Sequence, residues 1–368
     1  MKIKFTYLMA LILTFISTLA TQNVAAQNEE KEKEATATAA LNPEKVTIIS
    51  GFKGGSYYQM ALDIQKMSRK TLGTAVMSTE TKEIYSMGKD GDTLKDADGN
   101  AITKEITSEM PTGDTIDFVK VKDSDGAYYN FSKISNSDVD ITFLQYDVLL
   151  YEDLKDLKRK TKKTSDVRIL LPLGTEEIHL ITTKESGIED FGDLKKKRVG
   201  IGSSLQGTNI TAKYIKEQTK STWEDVEIPY DKAFRALFNN DIDAFFFVGK
   251  MPIQDLANLP KSMKDKIKLV SLPVNEKLKE AYGEQIEISN TIYSWVDKPV
   301  KTYAVKAILV TSILGQTPEQ VENIRKVLEV LKANKDNPGY FKGWESVKFE
   351  EDPSIEWEYH PMMKSLLK

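Results

Sequence analysis

A short apolar run, a glycine-rich turn and the start of a helix follow one another over residues 46–58. Residues 46–49 have the pattern of a buried strand, and a helical pattern continues over 56–70. A strand that ends in glycines at a helix N-terminus leaves backbone N–H groups free at the positive end of the helix dipole. The turn is therefore suited to hold a carboxylate or another anion, and Tyr57 and Tyr58 can wall the same place.

Strand-like and helix-like segments alternate along the rest of the chain. Further strands are predicted at residues 75–78, 139–144, 167–173, 178–183, 198–202, 244–248 and 301–311. Helices are predicted at residues 128–136, 148–157, 208–218, 231–239 and 317–335. Such alternation is typical of α/β folds with parallel sheets and crossover helices, in which ligands bind at the carboxyl ends of the strands.

Residues 79–125 interrupt this alternation and are predicted to be largely irregular. The turn residues at 96–100 favour a β-hairpin, because strand-like triplets flank them. A calcium loop is the alternative, since acidic and amide side chains within the turn have the required two-residue steps. Ala101 replaces the glycine expected after the third ligand, and no acidic residue closes the loop, so the hairpin is favoured.

The composition excludes several kinds of functional site. The chain of 368 residues contains no cysteine, which removes disulfides, thiolate metal sites, cysteine nucleophiles and lipid attachment through cysteine. Its two histidines, His179 and His360, leave little material for a metal site or a Ser-His-Asp triad. The segment 200–205 lacks the third glycine of a dinucleotide fingerprint, and no Walker lysine follows the glycine-rich turns. We therefore expect no metal and no cofactor, and the formal charge of −4 without a basic stripe argues against nucleic acid.

The N-terminus has the pattern of a secretory signal peptide. Two lysines precede a mostly apolar run over residues 5–20, and small residues occupy the usual cleavage positions after it. An uncleaved membrane anchor is the alternative, but this run is short for a span of about 20 apolar residues. We predict a signal peptide over 1–26, a flexible leader over 27–43 and a periplasmic location.

Polar and small residues cluster at the predicted strand ends. The turns at 54–58 and 203–209 each join a strand to a helix, and 126–130 adds another helix start. If the first two turns face each other from separate lobes, two helix dipoles converge on one ligand. Structural alternatives exist, since a Gly-Gly-Ser turn also serves as a tight connection, Phe247 also suits a strand core, and His179 is interpreted as structural. The candidate ligand-binding residues are Gly55, Ser56, Tyr57, Tyr58, Asn130, Gln145, Asp147, Ser203, Ser204, Gln206, Gly207, Thr208 and Phe247.

The order of these motifs resembles the TAXI family, the extracytoplasmic solute receptors of tripartite ATP-independent periplasmic (TRAP) transporters. The matching segments are Gly-Gly-Ser-Tyr-Tyr at 54–58, Gly126 with Asn130, Gln145 with Asp147, His179-Leu180 followed by Ser186-Gly187-Ile188 and Asp193-Leu194, Gln206-Gly207-Thr208, and Ile242-Asp243-Ala244-Phe245-Phe246. Serines of the family pattern are replaced by Ala127 and Gln206, which removes two expected hydroxyl donors.

The resemblance implies an α/β, two-lobed periplasmic-binding-protein-like fold of type II with two hinge-crossing strands. One lobe would combine 44–177, including an insertion at 79–125, with 304–368, and the other would be 178–303. The receptor would close over a small carboxylate, either glutamate-like or a dicarboxylate, and deliver it to a TRAP permease without catalysis.

Roles for the candidate residues follow from the strand ends together with the resemblance. An anionic group would bind the backbone N–H groups of Ser56, Tyr57, Gly207 and Thr208. Orientation would come from Tyr57, Tyr58, Asn130 and Gln145, and the opposite wall would be lined by Ser203, Ser204 and Gln206.

Three alternatives stay open at this point. The same lobes serve receptors of ABC importers and sensors, and a neighbouring gene for a TRAP permease would discriminate. An enzyme on this fold is disfavoured, because porphobilinogen-polymerising enzymes with similar lobes anchor their cofactor through a cysteine. A non-transport surface protein, in which the motifs are only turns, is the third alternative.

Overall fold

The computed structural model of this protein describes residues 44–53, 55–86 and 95–367. The predicted signal peptide, the predicted leader and Gly54 lie outside the described residues. None of the helices within these ranges is both long enough and apolar enough to cross a bilayer.

The bounds of the described elements are as follows. The strands are β1 (Val46–Ile49), β2 (Thr74–Tyr85), β3 (Thr103–Ile116), β4 (Val119–Lys122), β5 (Ile141–Gln145), β6 (Val167–Thr183), β7 (Arg198–Gly200), β8 (Glu224–Val226), β9 (Ala244–Gly249), β10 (Ile267–Leu269), β11 (Ile286–Ile288), β12 (Val300–Thr302) and β13 (Ala304–Ser312). The α-helices are α1 (Ser56–Leu72), α2 (Ala127–Ile134), α3 (Tyr146–Arg159), α4 (Gly207–Thr219), α5 (Tyr230–Phe238), α6 (Gln254–Ala257), α7 (Lys261–Lys264), α8 (Glu276–Tyr282) and α9 (Pro318–Asn334). Short 3₁₀ helices cover Phe191–Leu194, Lys342–Ser346 and Pro361–Ser365.

Two long antiparallel strands stand at the centre of a nine-stranded sheet with the order β4-β1-β5-β13-β6-β9-β7-β8 and β10 beside β6. On one side β1 pairs in parallel with β4 and β5, and on the other β7 pairs in parallel with β8 and β9. The central pair is β13 and β6, and the 17 residues of β6 span about 56 Å at about 3.3 Å per residue. Each half therefore has its own parallel strands, and two strands cross between the halves. The predicted fold class, two α/β lobes joined by two crossing strands, is confirmed.

Separate apolar cores fill the two halves. We call the half with β1, β4, β5, α1–α3, α9 and the C-terminal segment lobe one, and the half with β7–β9 and α4–α8 lobe two. Neighbouring strand residues point to opposite faces, so Ile48 and Ile49 join different clusters of lobe one, while Phe246 and Phe247 join different clusters of lobe two. The residue-level boundaries predicted for the lobes, 44–177 plus 304–368 and 178–303, stay a prediction.

A two-stranded ribbon projects from lobe one where an irregular region was predicted. The strands β2 and β3 pair from Thr74 opposite Ile116 to Tyr85 opposite Thr103. The hairpin turn is confirmed, because the Asp96 carboxylate accepts N–H groups within the turn. The prediction of irregular structure over 79–125 was wrong. The ribbon pairs through its backbone, its sequence lacks a regular apolar alternation, and β4 belongs to the main sheet.

Candidate functional site

A cleft of about 580 Å³ lies between the two lobes. The carboxyl ends of β1, β5 and β9 and the N-termini of α1 and α4 border it, which is where open α/β sheets bind ligands. Part of the predicted site comes together here, namely Gly55, Ser56, Tyr57, Gln145, Gln206, Gly207, Thr208 and Phe247. That these residues contact a solute stays a prediction.

The N-terminus of α1 forms a wall of the cleft from lobe one. Gly55 is its N-cap in an extended conformation, and no side chain of the described residues caps the helix. Helix geometry gives the N–H groups of Ser56 and Tyr57 no acceptor inside the helix, so they are available to an anion. The Tyr57 ring stacks on Phe143 with centroids 5.1 Å apart, and its hydroxyl lies against the Glu176 carboxylate.

The N-terminus of α4 forms the facing wall from lobe two. The Gln206 side chain accepts the Ser203 N–H at 2.9 Å, so this glutamine closes its own turn. The Thr208 hydroxyl accepts the Val248 N–H at 3.3 Å and keeps its own proton to donate. This turn therefore offers a ligand the backbone N–H groups of Gly207 and Thr208 and the Thr208 hydroxyl.

Gly207 of lobe two packs directly against Gln145 of lobe one. A Cβ at position 207 would lie 1.6 Å from Gln145 Oε1, so only glycine fits while the lobes adopt this arrangement. The other end of the amide, Nε2, donates to Glu176 Oε2 at 2.7 Å. Gln145 thus connects the α4 N-terminus to the crossing strand β6.

Hydrogen bonds bridge the lobes on both sides of the cleft. On one side the Leu205 carbonyl of lobe two accepts the N–H groups of Tyr128 and Tyr129, at 3.1 and 3.2 Å. On the other side Lys250 Nζ of lobe two donates to the Gly343 carbonyl at 3.3 Å. The lobes are closed around the cleft. The further helix start at 126–130 lines the cleft through Gly126 and Ala127, and the next two N–H groups of α2 are used by this closure.

Asp147 forms a third bridge, away from the cleft. Its Oδ2 accepts hydrogen bonds from Thr211 and Tyr282 of lobe two, while Oδ1 is buried without a partner among the described residues. Burial raises the pKa of Asp147 to about 6, against the lowering effect of these hydrogen bonds. Asp147 therefore joins the two lobes in this structure, whereas the sequence analysis predicted a ligand-binding role for it.

Glu176 is a buried carboxylate on the cleft, 6% exposed. Burial raises its pKa to about 7, and the charges of Glu177 and Asp147 act in the same direction. Gln145 donates to the carboxylate, and this hydrogen bond and the nearby Tyr57 hydroxyl partly offset that rise.

Five predicted residues do not line the cleft, and they are Tyr58, Asn130, Asp147, Ser203 and Ser204. Asn130 has 0% exposure, and its amide nitrogen donates to the carbonyls of Ser50 and Phe143. It joins the ends of β1 and β5 and cannot reach a solute. The strand ends predict the edge of the sheet that borders the cleft, but they do not predict the direction of each side chain.

Comparison with known proteins assigns a family. A profile of the NMT1-like family matches residues 97–333. The chain belongs to the NMT1-like family. The matched region contains Gln145, Glu176 and Gly207, whereas the α1 turn precedes it. The finer assignment to the TAXI family stays a prediction.

Solved structures resemble the chain at low sequence identity. An arginine transport-system periplasmic binding protein from Legionella pneumophila is 17% identical, with 59% of this chain and 77% of that chain covered and a TM-score of 0.33. YhfZ from Shigella flexneri is 13% identical, with 81% and 91% covered and a TM-score of 0.39. A substrate-binding protein of an amino acid ABC transporter is 12% identical, with 58% and 75% covered and a TM-score of 0.35.

The NMT1-like region holds cleft residues that the sequence analysis missed, Glu176, Tyr230 and Lys250. A usable signal existed for Glu176, because Glu176 and Glu177 are consecutive carboxylates inside an apolar strand, and buried carboxylates mark functional sites. Tyr230 starts α5 and stacks on Phe247 with ring centroids 3.8 Å apart. No local motif marks it, because the stacking joins a helix to a distant strand.

His179 is structural, as the sequence analysis interpreted it. Its Nδ1 lies 2.9 Å from the Glu177 carbonyl, and its Nε2 lies 3.0 Å from the Tyr293 hydroxyl. That hydroxyl also accepts the Ile253 N–H. Since the Tyr293 hydroxyl accepts that N–H, its own proton is available to donate to His179 Nε2. The imidazole ring is therefore neutral, with its proton on Nδ1. Burial lowers the pKa of His179 to about 4.

Proposed function

We propose that this NMT1-like protein is an extracytoplasmic receptor that binds a small carboxylate between its lobes by hinge closure and delivers it unchanged to a TRAP permease. The observation that carries this proposal is that the N-termini of α1 and α4 belong to different lobes and border one closed cleft. Backbone N–H groups at two helix ends provide a binding place for an anion that is complete only when the lobes are closed.

The crossing strands supply the hinge for this cycle. Among the described strands, β6 passes from pairing with β13 to pairing with β9, while β13 packs Leu309 in the core of lobe one and Val305 in that of lobe two. A rotation about these two strands would separate the two helix ends. A bound solute that contacts both walls stabilises the closed form by its contacts with both lobes. Opening would then release the solute chemically unchanged.

Calorimetric titration with glutamate, glutamine and 2-oxoglutarate tests the ligand class. We expect saturable heat with at least one of these carboxylates, and the same solute should raise the midpoint of thermal unfolding. Silence across these solutes and a broader panel of small carboxylates would contradict the proposed ligand class.

Transport requires a separate experiment. Proteoliposomes that contain a candidate TRAP permease should take up the solute only when the receptor and a sodium gradient are both present. Uptake that instead requires an ABC importer and ATP would contradict the TRAP assignment and leave the receptor role intact.

A further inference from the structure

Glu176 and Glu177 are neighbours on β6 with different surroundings. Glu177 does not line the cleft, and its carboxylate accepts the Met251 N–H at 2.7 Å and the Thr175 hydroxyl at 3.2 Å. Glu176 lines the cleft between the helix ends. The pair therefore places one carboxylate in the structure of lobe two and one at the candidate binding site.

No cation of the described residues pairs with Glu176. No Lys, Arg or His nitrogen there lies within 4.0 Å of its carboxylate. The titratable groups that influence it are Tyr57, Glu177, Asp147 and Lys250. Of these only Lys250 is a cation, and its Nζ donates to Gly343 and Ser346 instead.

A buried carboxylate without a cation is unfavourable when it is ionised. Either the group is protonated in the protein, or a positive group must come from outside. Glu176 is 6% exposed and lines the cleft, so a solute in the cleft can supply that positive group. The same cleft offers the N–H groups of Ser56 and Gly207 to a carboxylate. Together, these donors and the Glu176 carboxylate complement a molecule that carries one negative and one positive group.

We propose that Glu176 binds a protonated amine of the solute, so that the receptor takes an amino acid and discriminates against the 2-oxo acid of the same skeleton. This inference rests on the proposed receptor function. Glutamate and 2-oxoglutarate form a matched pair of probes, because they share both carboxylates and differ at the amine. Among the small carboxylates proposed as solutes, we therefore expect those that carry an amine to bind.

Calorimetry with this pair, on the wild type and on Glu176→Gln, tests the inference, and Glu177→Gln is the matched control. We expect glutamate to bind at least about tenfold tighter than 2-oxoglutarate, because a charge-assisted hydrogen bond is involved. The preference should disappear in Glu176→Gln and persist in Glu177→Gln.

Proton release on the wild type provides a readout that does not depend on a variant folding. An ammonium beside Glu176 keeps it ionised, so glutamate binding at pH 7 should release protons, seen as binding heat that differs between phosphate and Tris buffers. A Glu176 that is only structural would release none.

The outcomes separate the inference from the receptor function. Equal binding of 2-oxoglutarate without proton release would overturn the inference and leave the carboxylate receptor standing. If butylamine binds to the wild type and Glu176→Gln abolishes that binding, the result would support the inference. It would contradict the proposal that the solute is a carboxylate. Silence of glutamate, 2-oxoglutarate and butylamine would overturn both.

Discussion

The Thr211 hydroxyl of lobe two donates a hydrogen bond of 2.6 Å to Asp147 of lobe one. Tyr282, also from lobe two, donates to the same oxygen at 3.1 Å. Both bonds exist only while the lobes are closed, and they lie outside the candidate binding cleft. Closure can therefore be altered at this place without changing a residue that would contact the solute.

Thr211→Val should weaken the closed form. The substitution keeps the shape of the side chain and leaves Asp147 Oδ2 with Tyr282 as its side-chain donor, at a cost of about 1–3 kcal/mol. We expect roughly fivefold or greater loss of solute affinity, mostly as faster release in stopped-flow fluorescence. Thr219→Val is the control, because the Thr219 hydroxyl donates within α4 to Ile215. Equal effects of the two substitutions would show that the Asp147 bridge is not specific.

The Asp147 bridge should make closure sensitive to pH. Its pKa is about 6 in the closed form, and opening would return it toward the ordinary value of about 3.9. The closed form therefore binds the proton more tightly. Its stabilisation is complete below about pH 4 and is lost as the pH rises through about 6.

Small-angle scattering of the solute-free protein between pH 5 and pH 7.5 measures this effect. The experiment should be carried out on the Glu176→Gln variant, because Glu176 titrates in the same pH range as Asp147. We expect a larger closed fraction at pH 5, and Asp147→Asn should abolish the dependence. An open fraction that rises on acidification would contradict the sign.

Gly207→Ala should prevent full closure. Its Cβ would lie 1.6 Å from Gln145 Oε1, so the lobes would have to separate at this place. Scattering should show a larger radius of gyration with saturating solute than the wild type has. Adding Gln145→Ala removes the obstructing atom and should restore closure while affinity stays low, because Gln145 itself lines the cleft. A double variant as open as Gly207→Ala would show that another contact obstructs closure.

Lys250→Met should weaken carboxylate binding and its salt dependence together. Lys250 is a cation that lines the cleft, and its Nζ also bridges the lobes through the Gly343 carbonyl. The substitution removes both the positive charge near the solute and this bridge. We expect about tenfold weaker binding at low ionic strength and a smaller loss of affinity on adding salt. Lys348→Met, at an exposed position outside the cleft, should leave binding unchanged. An unaltered salt dependence in Lys250→Met would show that this ammonium does not interact with the solute.

The sequence predicts the two-lobed α/β fold class because apolar periodicity reports local burial. The runs that became β5 and β9 are visible without tertiary information, and so is the edge of the sheet where ligands bind. Side-chain direction is not local. Gln145 and Asn130 are both amides at predicted element ends, yet one lines the cleft and the other ties two strand ends together. The ribbon of β2 and β3 was missed because backbone pairing and polar side chains, rather than an apolar periodicity, join its strands.

Native mass spectrometry of the purified protein is the decisive test of the proposed receptor function. We expect one bound small molecule that carries a carboxylate and an amine, released by denaturation with a mass that prolonged incubation does not change. A bound molecule without a carboxylate, or one that the protein converts to a different mass, would contradict the proposed function.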